Sequence, residues 1–280
     1  MFALHVVALL VGAAAASLTV HTFGPEDALL SVVIVCGMHP REGITRDVCE
    51  DWVRTLQDAP PTRMHVTLVP DANPEGREML AQDECWRGNA RGVDLNRNWP
   101  PLACDSPPAQ DGNQLLETEL SHGPYALSEW ETQELAAVLT MWQPDVLLAI
   151  HSGIEAFLTP FDACAKTPRN YHDHVKLAKW LRHGVCDQCT VAQSPRLLYY
   201  SQGTMTDWAY AELRVPLVLT VEMYAGDETG SCAQVFSPPA NTMAYNAIVL
   251  RWRKMIQRLA TIDADDFLTL LEMTGVAGSE

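Results

Sequence analysis

Helices layered on both faces of a mixed, mostly parallel twisted sheet, a three-layer α/β/α sandwich, form the architecture that this sequence predicts. Short, largely apolar runs at residues 32–35, 145–150 and 217–221 have the composition of strands buried on both faces. Between them lie longer segments with apolar residues at helical spacing. Strands alternating with helices in this way build a parallel sheet with covered faces.

In sequence order, residues 18–23 and 29–36 are expected as strands around the turn Gly24-Pro25-Glu26-Asp27. Residues 46–56 carry Val48, Trp52, Val53 and Leu56 on one helical face. A strand at 65–69 is stopped by Pro70. Residues 71–124 are rich in Pro, Gly, Asn and Asp, so this stretch is expected to be mostly loop, and so long a loop in a compact domain is usually functional. Ser128 and Glu131 have the spacing of a capping box at the start of a helix running to about Trp142. A strand at 145–150 ends at His151, a helix spans 171–183, and the strand at 217–221 leads into Glu222. A last helix covers 241–259, followed by an acidic tail.

The chain has 280 residues, 48% of them hydrophobic and 19% charged, which suits a sizeable core. Its net charge of -16 argues against a nucleic-acid partner, because phosphate binding needs basic surface. Residues 1–17 combine a short apolar core with the small residues Gly12 to Ser17, the pattern of a secretory signal. The segment is too short and Ala-rich for a membrane span, and no later stretch approaches spanning length without charges. A single domain over residues 18–280, secreted and monomeric, with no membrane contact, is the expectation. Eight cysteines behind such a signal favour disulfides, in 105 formal pairings. Cys36 lies in a strand core and could equally be a free thiol. Cys186-Asp-Gln-Cys189 has redox or metal spacing but no second pair, which favours a structural disulfide.

Three apolar strands end in polar residues: His39 with Glu42, His151, and Glu222. Open α/β sheets hold their ligands at the carboxyl ends of strands. Two imidazoles and a carboxylate make the usual open zinc set, with one position left for water. A further carboxylate nearby suits a general base. Taken singly, each residue is equally a solvated loop residue, a helix cap or a strand terminus.

The block Trp86-Arg87-Gly88-Asn89-Ala90-Arg91-Gly92-Val93-Asp94-Leu95-Asn96-Arg97-Asn98 is more specific. It resembles the WRxN-x-x-GVDLNRN stretch of zinc carboxypeptidases of the carboxypeptidase A type, the funnelin family. His39-x-x-Glu42, the helix start from Tyr125 to Thr132, Ala149-Ile150-His151-Ser152, Tyr199…Gly203…Asp207-Trp208-Ala209-Tyr210 and Thr220-Val221-Glu222 match that family's motifs in its order. The resemblance implies a zinc carboxypeptidase-like fold and hydrolysis of the last peptide bond, with the C termini of peptides and proteins as the partners. It implies one zinc ion per protein molecule on His39, Glu42 and His151, with Glu222 as general base. Arg87 would hold the developing oxyanion, Asn96 and Arg97 would grip the terminal carboxylate, Tyr199 would close over it, and Arg41 would line a neighbouring subsite. Tyr200 competes for the Tyr role, although its spacing to Asp207 fits less well.

In this family the residue before the Asp-Trp pair sits at the base of the side-chain pocket. Here it is Thr206, with Thr220 and Ser201 as other small pocket residues, so neutral, apolar or aromatic C-terminal residues are expected. Against secreted members, no long pro-segment and shortened first elements are expected here, which fits either a minimal member or an incomplete N terminus in which the signal-like segment belongs to the domain. Two other readings share parts of the pattern. A zinc deacylase or amidohydrolase of the aspartoacylase type has a similar metal set. A non-catalytic carboxypeptidase-like binding protein would have lost a ligand or the base, and none is missing here.

Overall fold

The computed structural model describes residues 17–104, 121–227 and 230–272. The predicted signal therefore lies outside the described residues, apart from Ser17. Seven strands form one sheet: β1 (His21–Phe23), β2 (Ser31–Val35), β3 (His65–Val69), β4 (Val146–His151), β5 (Glu155–Thr159), β6 (Thr190–Gln193) and β7 (Leu217–Met223). Their order is β1-β3-β2-β4-β7-β5-β6. Pairings β2–β3, β2–β4, β4–β7 and β5–β6 are parallel, whereas β1–β3 and β5–β7 are antiparallel. The sheet is thus mixed and mostly parallel, as the apolar runs predict.

The helices are α1 (Gly43–Asp58), α2 (Pro74–Glu78), α3 (Trp130–Trp142), α4 (Tyr171–Arg182), α5 (Ser194–Leu197), α6 (Met205–Ala211), α7 (Cys232–Phe236), α8 (Thr242–Leu259) and α9 (Ala264–Glu272). Each strand sends alternate side chains to opposite faces. Val146, Leu148 and Ile150 of β4 join a core with α1, α4 and α8, built around Trp52, Leu177 and Trp252. Leu147 and Ala149 join a second core with α3 and α6, through Leu135, Leu139, Met205 and Ala209. A strand apolar at every position is therefore one with a core on each side.

Several sequence expectations change. The helix after Ser128 is not opened by a capping box: its N-cap is Glu129, whose side chain makes no capping hydrogen bond. The Ser128 hydroxyl instead donates to the Glu129 carboxylate and accepts from Asn98 Nδ2. The turn-rich stretch contains α2, whose start is capped by the Asn73 side chain accepting from the Gly76 N–H. The acidic tail begins as α9, which buries Phe267. Cys36 is not a free thiol but is bonded to Cys49 inside the α1 core. The other bridges are Cys85–Cys232, Cys104–Cys164 and the expected Cys186–Cys189.

Two buried indoles lock α1 and α8 to the sheet. Trp52 Nε1 donates to the Trp252 carbonyl at 3.2 Å, and Trp252 Nε1 donates to the Met223 carbonyl of β7 at 2.9 Å. Trp252→Ala is expected to lower stability by about 3–5 kcal/mol, because it removes both a large packed surface and the donor to β7. Leu250→Ala, on the exposed side of the same helix, is expected to stay within about 0.5 kcal/mol. Denaturant midpoints of the two variants check the contrast.

Candidate active site

The strand order reverses direction at β2: the backbone leaves it for β3 on one side and returns through β4 on the other. Such a switch point opens a crevice at the strand ends, and the polar residues singled out from the sequence gather there. Gly37 turns the backbone after β2 with φ +68°, and a Cβ at this position would lie 2.9 Å from Asp71 Cα. His39 follows, and Glu42 is the N-cap residue of α1. A carboxylate at a helix N-terminus is favoured by the aligned peptide dipoles. His151 ends β4 and pairs directly with Glu222 of β7. Both continue the side-chain alternation of the α3 and α6 face.

Glu42 joins the two imidazoles. Its Oε1 lies 2.7 Å from His39 Nδ1, and its Oε2 lies 3.0 Å from His151 Nδ1. The Ser152 N–H donates to Oε2 as well. All three residues are buried, and their ligand atoms lie within 4.8 Å of one another. Burial opposes ionisation of Glu42, yet the His39 and His151 rings hold its carboxyl well below the usual range. One carboxylate and two imidazole nitrogens converging in this way fit zinc by donor type and number. A second cluster, Glu155 with Cys186 and Cys189, offers no thiolate, because its cysteines form a disulfide.

Glu222 is the odd carboxylate. Its Oε2 is buried without a hydrogen-bond partner. Burial, followed by the charge of Glu42, pushes its carboxyl up to about 7. Arg87 faces the same cavity, its Nε donating to Asp94 Oδ2 at 2.8 Å and its Nη1 3.8 Å from Glu42 Oε1. Burial disfavours the Arg87 charge, but Asp94 and its other anionic neighbours outweigh that and raise its pKa. Asp94 is itself buried, and the Arg87 charge keeps its carboxyl low against that burial. Asp94 Oδ1 also lies 3.0 Å from His39 Nε2, so one carboxylate orients both Arg87 and His39.

The remaining expected residues line the same cavity of about 270 Å³, with one exception. Asn96 Oδ1 accepts from the Met205 N–H, which fixes its amide. Arg97 Nη2 is 3.1 Å from Tyr199 Oη, so Tyr199 already lies over it. Gly203 lets its own backbone pack on that of Arg97: with φ +67°, a Cβ there would sit 2.5 Å from the Arg97 carbonyl oxygen. Arg41 stacks on the Phe236 ring at 4.5 Å. Thr220 and Ser201 are part of the wall. Thr206 is the exception: it stands behind the wall, its hydroxyl donating to Asp162 Oδ2 at 2.7 Å.

Sequence reasoning assigned no role to Asp94, Asp162 or Phe236. Asp94 was visible in the matched block, but its bond to His39 spans 55 residues. Asp162 and Phe236 follow or end elements that were not predicted. Two asparagines of the block hold the scaffold. Asn89 Nδ2 donates to Glu129 and Glu131, and Asn98 bonds both the loop before α3 and the Thr132 hydroxyl. Asn73 Nδ2 ties the Met38 and Gly88 carbonyls, clamping the His39 and Arg87 loops together.

Comparison with known proteins gives a consistent picture. Human carboxypeptidase O is 27% identical over 212 residues, which cover 67% of this chain and 55% of that protein. Mouse carboxypeptidase A6 is 27% identical over 213 residues, 64% of this chain and 46% of the other. The chain thus spans about half the length of these curated relatives. Among solved structures, carboxypeptidase A from Helicoverpa armigera superposes with a TM-score of 0.69 at 20% identity, over 89% of this chain and 66% of that one. Bovine thrombin-activatable fibrinolysis inhibitor superposes with a TM-score of 0.66 at 19% identity, over 86% of each chain. The family model for zinc carboxypeptidases matches residues 21–251, and the chain belongs to the zinc carboxypeptidase family.

Proposed function

We propose that the protein is a metallocarboxypeptidase that hydrolyses the C-terminal peptide bond of peptides and proteins, with one zinc ion held by His39, Glu42 and His151. The observation that carries this reading is the unpartnered Oε2 of Glu222, buried beside the Glu42–imidazole cluster and within one cavity with Arg87 and Arg97. Zinc supplies Lewis acidity, which acidifies water and polarises a carbonyl.

The protein's own residues do the rest. The Nε2–H of His39 donates to Asp94, which leaves Nδ1 directed at the ligand cluster. Glu222 takes the proton of the attacking water and delivers it to the departing amine, a task suited by its value near 7. Arg87, held charged by Asp94, donates to the oxyanion as it develops. Arg97 and Asn96 bind the substrate's terminal carboxylate, with Arg97 offering a planar fork that matches it. Tyr199, bonded to Arg97, covers that end, which favours termini over internal bonds. All eight cysteines are in disulfides, which suits an oxidising, extracellular setting. The expectation of a neutral side-chain pocket took Thr206 as its base, with Thr220 and Ser201 beside it; Thr220 and Ser201 line the cavity, and the wall that screens Thr206 from it carries an acid, Asp162.

Glu222→Gln is expected to lower kcat on blocked dipeptides by at least about 100-fold while zinc stays near one per protein molecule. Full activity with the metal bound would overturn the assignment. Asp94→Asn is expected to weaken zinc binding roughly 10- to 100-fold, measured by competition with a chromophoric chelator. Unchanged affinity would remove Asp94 from its orienting role.

A further inference from the structure

We propose that Asp162 is the specificity-determining residue of the cavity and that it selects substrates whose C-terminal side chain is a cation, lysine or arginine. The proposal rests on the reading of this cavity as a site for peptide termini and deepens it.

Asp162 follows β5 on the wall of the cavity. Its backbone is clamped from both sides. Its own N–H and that of Ala163 donate to the two Asp207 carboxylate oxygens at 2.8 and 3.0 Å, and the Ser201 N–H donates to its carbonyl. The side chain is equally fixed: Thr204 and Thr206 hydroxyls both donate to Oδ2 at 2.7 Å. Oδ1 accepts no hydrogen bond among the described residues. The residue is only 7% exposed.

No Lys, Arg or His forms an ion pair with Asp162 among the described residues. The arginines of the cavity are engaged elsewhere: Arg87 with Asp94, Arg97 with Tyr199 and the Asn96 carbonyl, and Arg41 with Phe236 and the Cys85 carbonyl. The second carboxylate nearby, Asp207, adds no positive charge; burial and the Asp162 charge push its carboxyl well up. A buried carboxylate without a counter-ion is costly unless a cation arrives. Leu158 and Leu198 line the same cavity and suit the aliphatic stem of a long basic side chain, which packs along apolar surface while its head seeks charge. Oδ2 already holds two donors, so the incoming cation meets Oδ1 alone, an arrangement open to a compact ammonium as well as to one arm of a guanidinium. The net charge of -16 also draws basic peptides toward the protein.

This assignment differs from the sequence expectation for a physical reason. Thr206 is neutral, but its hydroxyl serves to present Asp162, which arrives from a different strand 44 residues earlier.

The test uses the full zinc-loaded protein and blocked dipeptides ending in lysine, arginine or phenylalanine, with kcat/KM as the readout. The wild type is expected to favour the basic ends by at least about 10-fold. Asp162→Asn, which keeps acceptors for both Thr hydroxyls, is expected to reduce the basic-to-phenylalanine ratio roughly 10- to 100-fold. A wild type that prefers phenylalanine overturns the proposal and leaves peptide hydrolysis intact, and this comparison decides even if the variant misfolds. A ratio that a folded Asp162→Asn leaves unchanged also overturns it. If no dipeptide is cleaved, the hydrolytic reading fails, and calorimetric binding of the same dipeptides takes over. Preference for the basic ends then supports the pocket assignment, and equal binding overturns it.

Discussion

The parallel register of β2, β4 and β7 is the constraint on which the site depends. It sets Val35 beside Ala149 and His151 beside Glu222, so residues far apart in sequence reach the same edge at the same height. A slip of one residue would send each side chain to the opposite face. His151 and Glu222 would then point into the apolar layer under α4 and α8, where neither has a partner. The cores on both faces resist such a slip, because every strand position is already committed to one layer or the other. Packing energy, spread over the whole sheet, thereby fixes the position of the few atoms to which catalysis is assigned.

Within that frame, charge is arranged in compensated groups. Glu42 is stabilised by two imidazoles, and Asp94 by Arg87 and His39. Each of these buried acids finds cationic or hydrogen-bonding neighbours that offset desolvation, as buried charges require. Two carboxylates that line the cavity stand outside the pattern. Glu222 keeps an orphan oxygen and titrates near neutrality, and Asp162 has neutral donors only. These are the two acids to which work on a substrate is assigned, one on its reacting bond and one on its side chain. Within the cavity, the acids that hold the frame are compensated by neighbouring cations, and the two proposed to act on substrate are not.

Much of this was legible in the sequence. Largely apolar runs located β2, β3, β4 and β7 to within a residue or two, because strands buried on both faces carry few polar positions. The polar residues at or just after the ends of those runs located the candidate metal cluster and Glu222. What the sequence concealed has physical causes. β5 and β6 are short strands without a long apolar run, and their loops are shaped by long-range bonds such as that between Thr206 and Asp162. The Ser128 cap failed because Asn98, 30 residues away, engages that hydroxyl. The acid on the pocket wall was missed for the same reason, since a neutral residue at position 206 says nothing about a carboxylate that a distant strand delivers beside it.

Cys85 and Cys104 precede residues 105–120, and their partners Cys232 and Cys164 follow. Each bridge therefore closes a ring that passes through this stretch. A single break of the backbone there divides the protein into two polypeptides without releasing either, as both remain stapled at two points. Arg87 and Arg97 would lie on one piece, and His151, Tyr199 and Glu222 on the other. In topological terms, the proposed catalytic assembly belongs to a bridged network rather than to a linear thread, so its integrity is set by the redox state of two bonds as much as by continuity of the peptide.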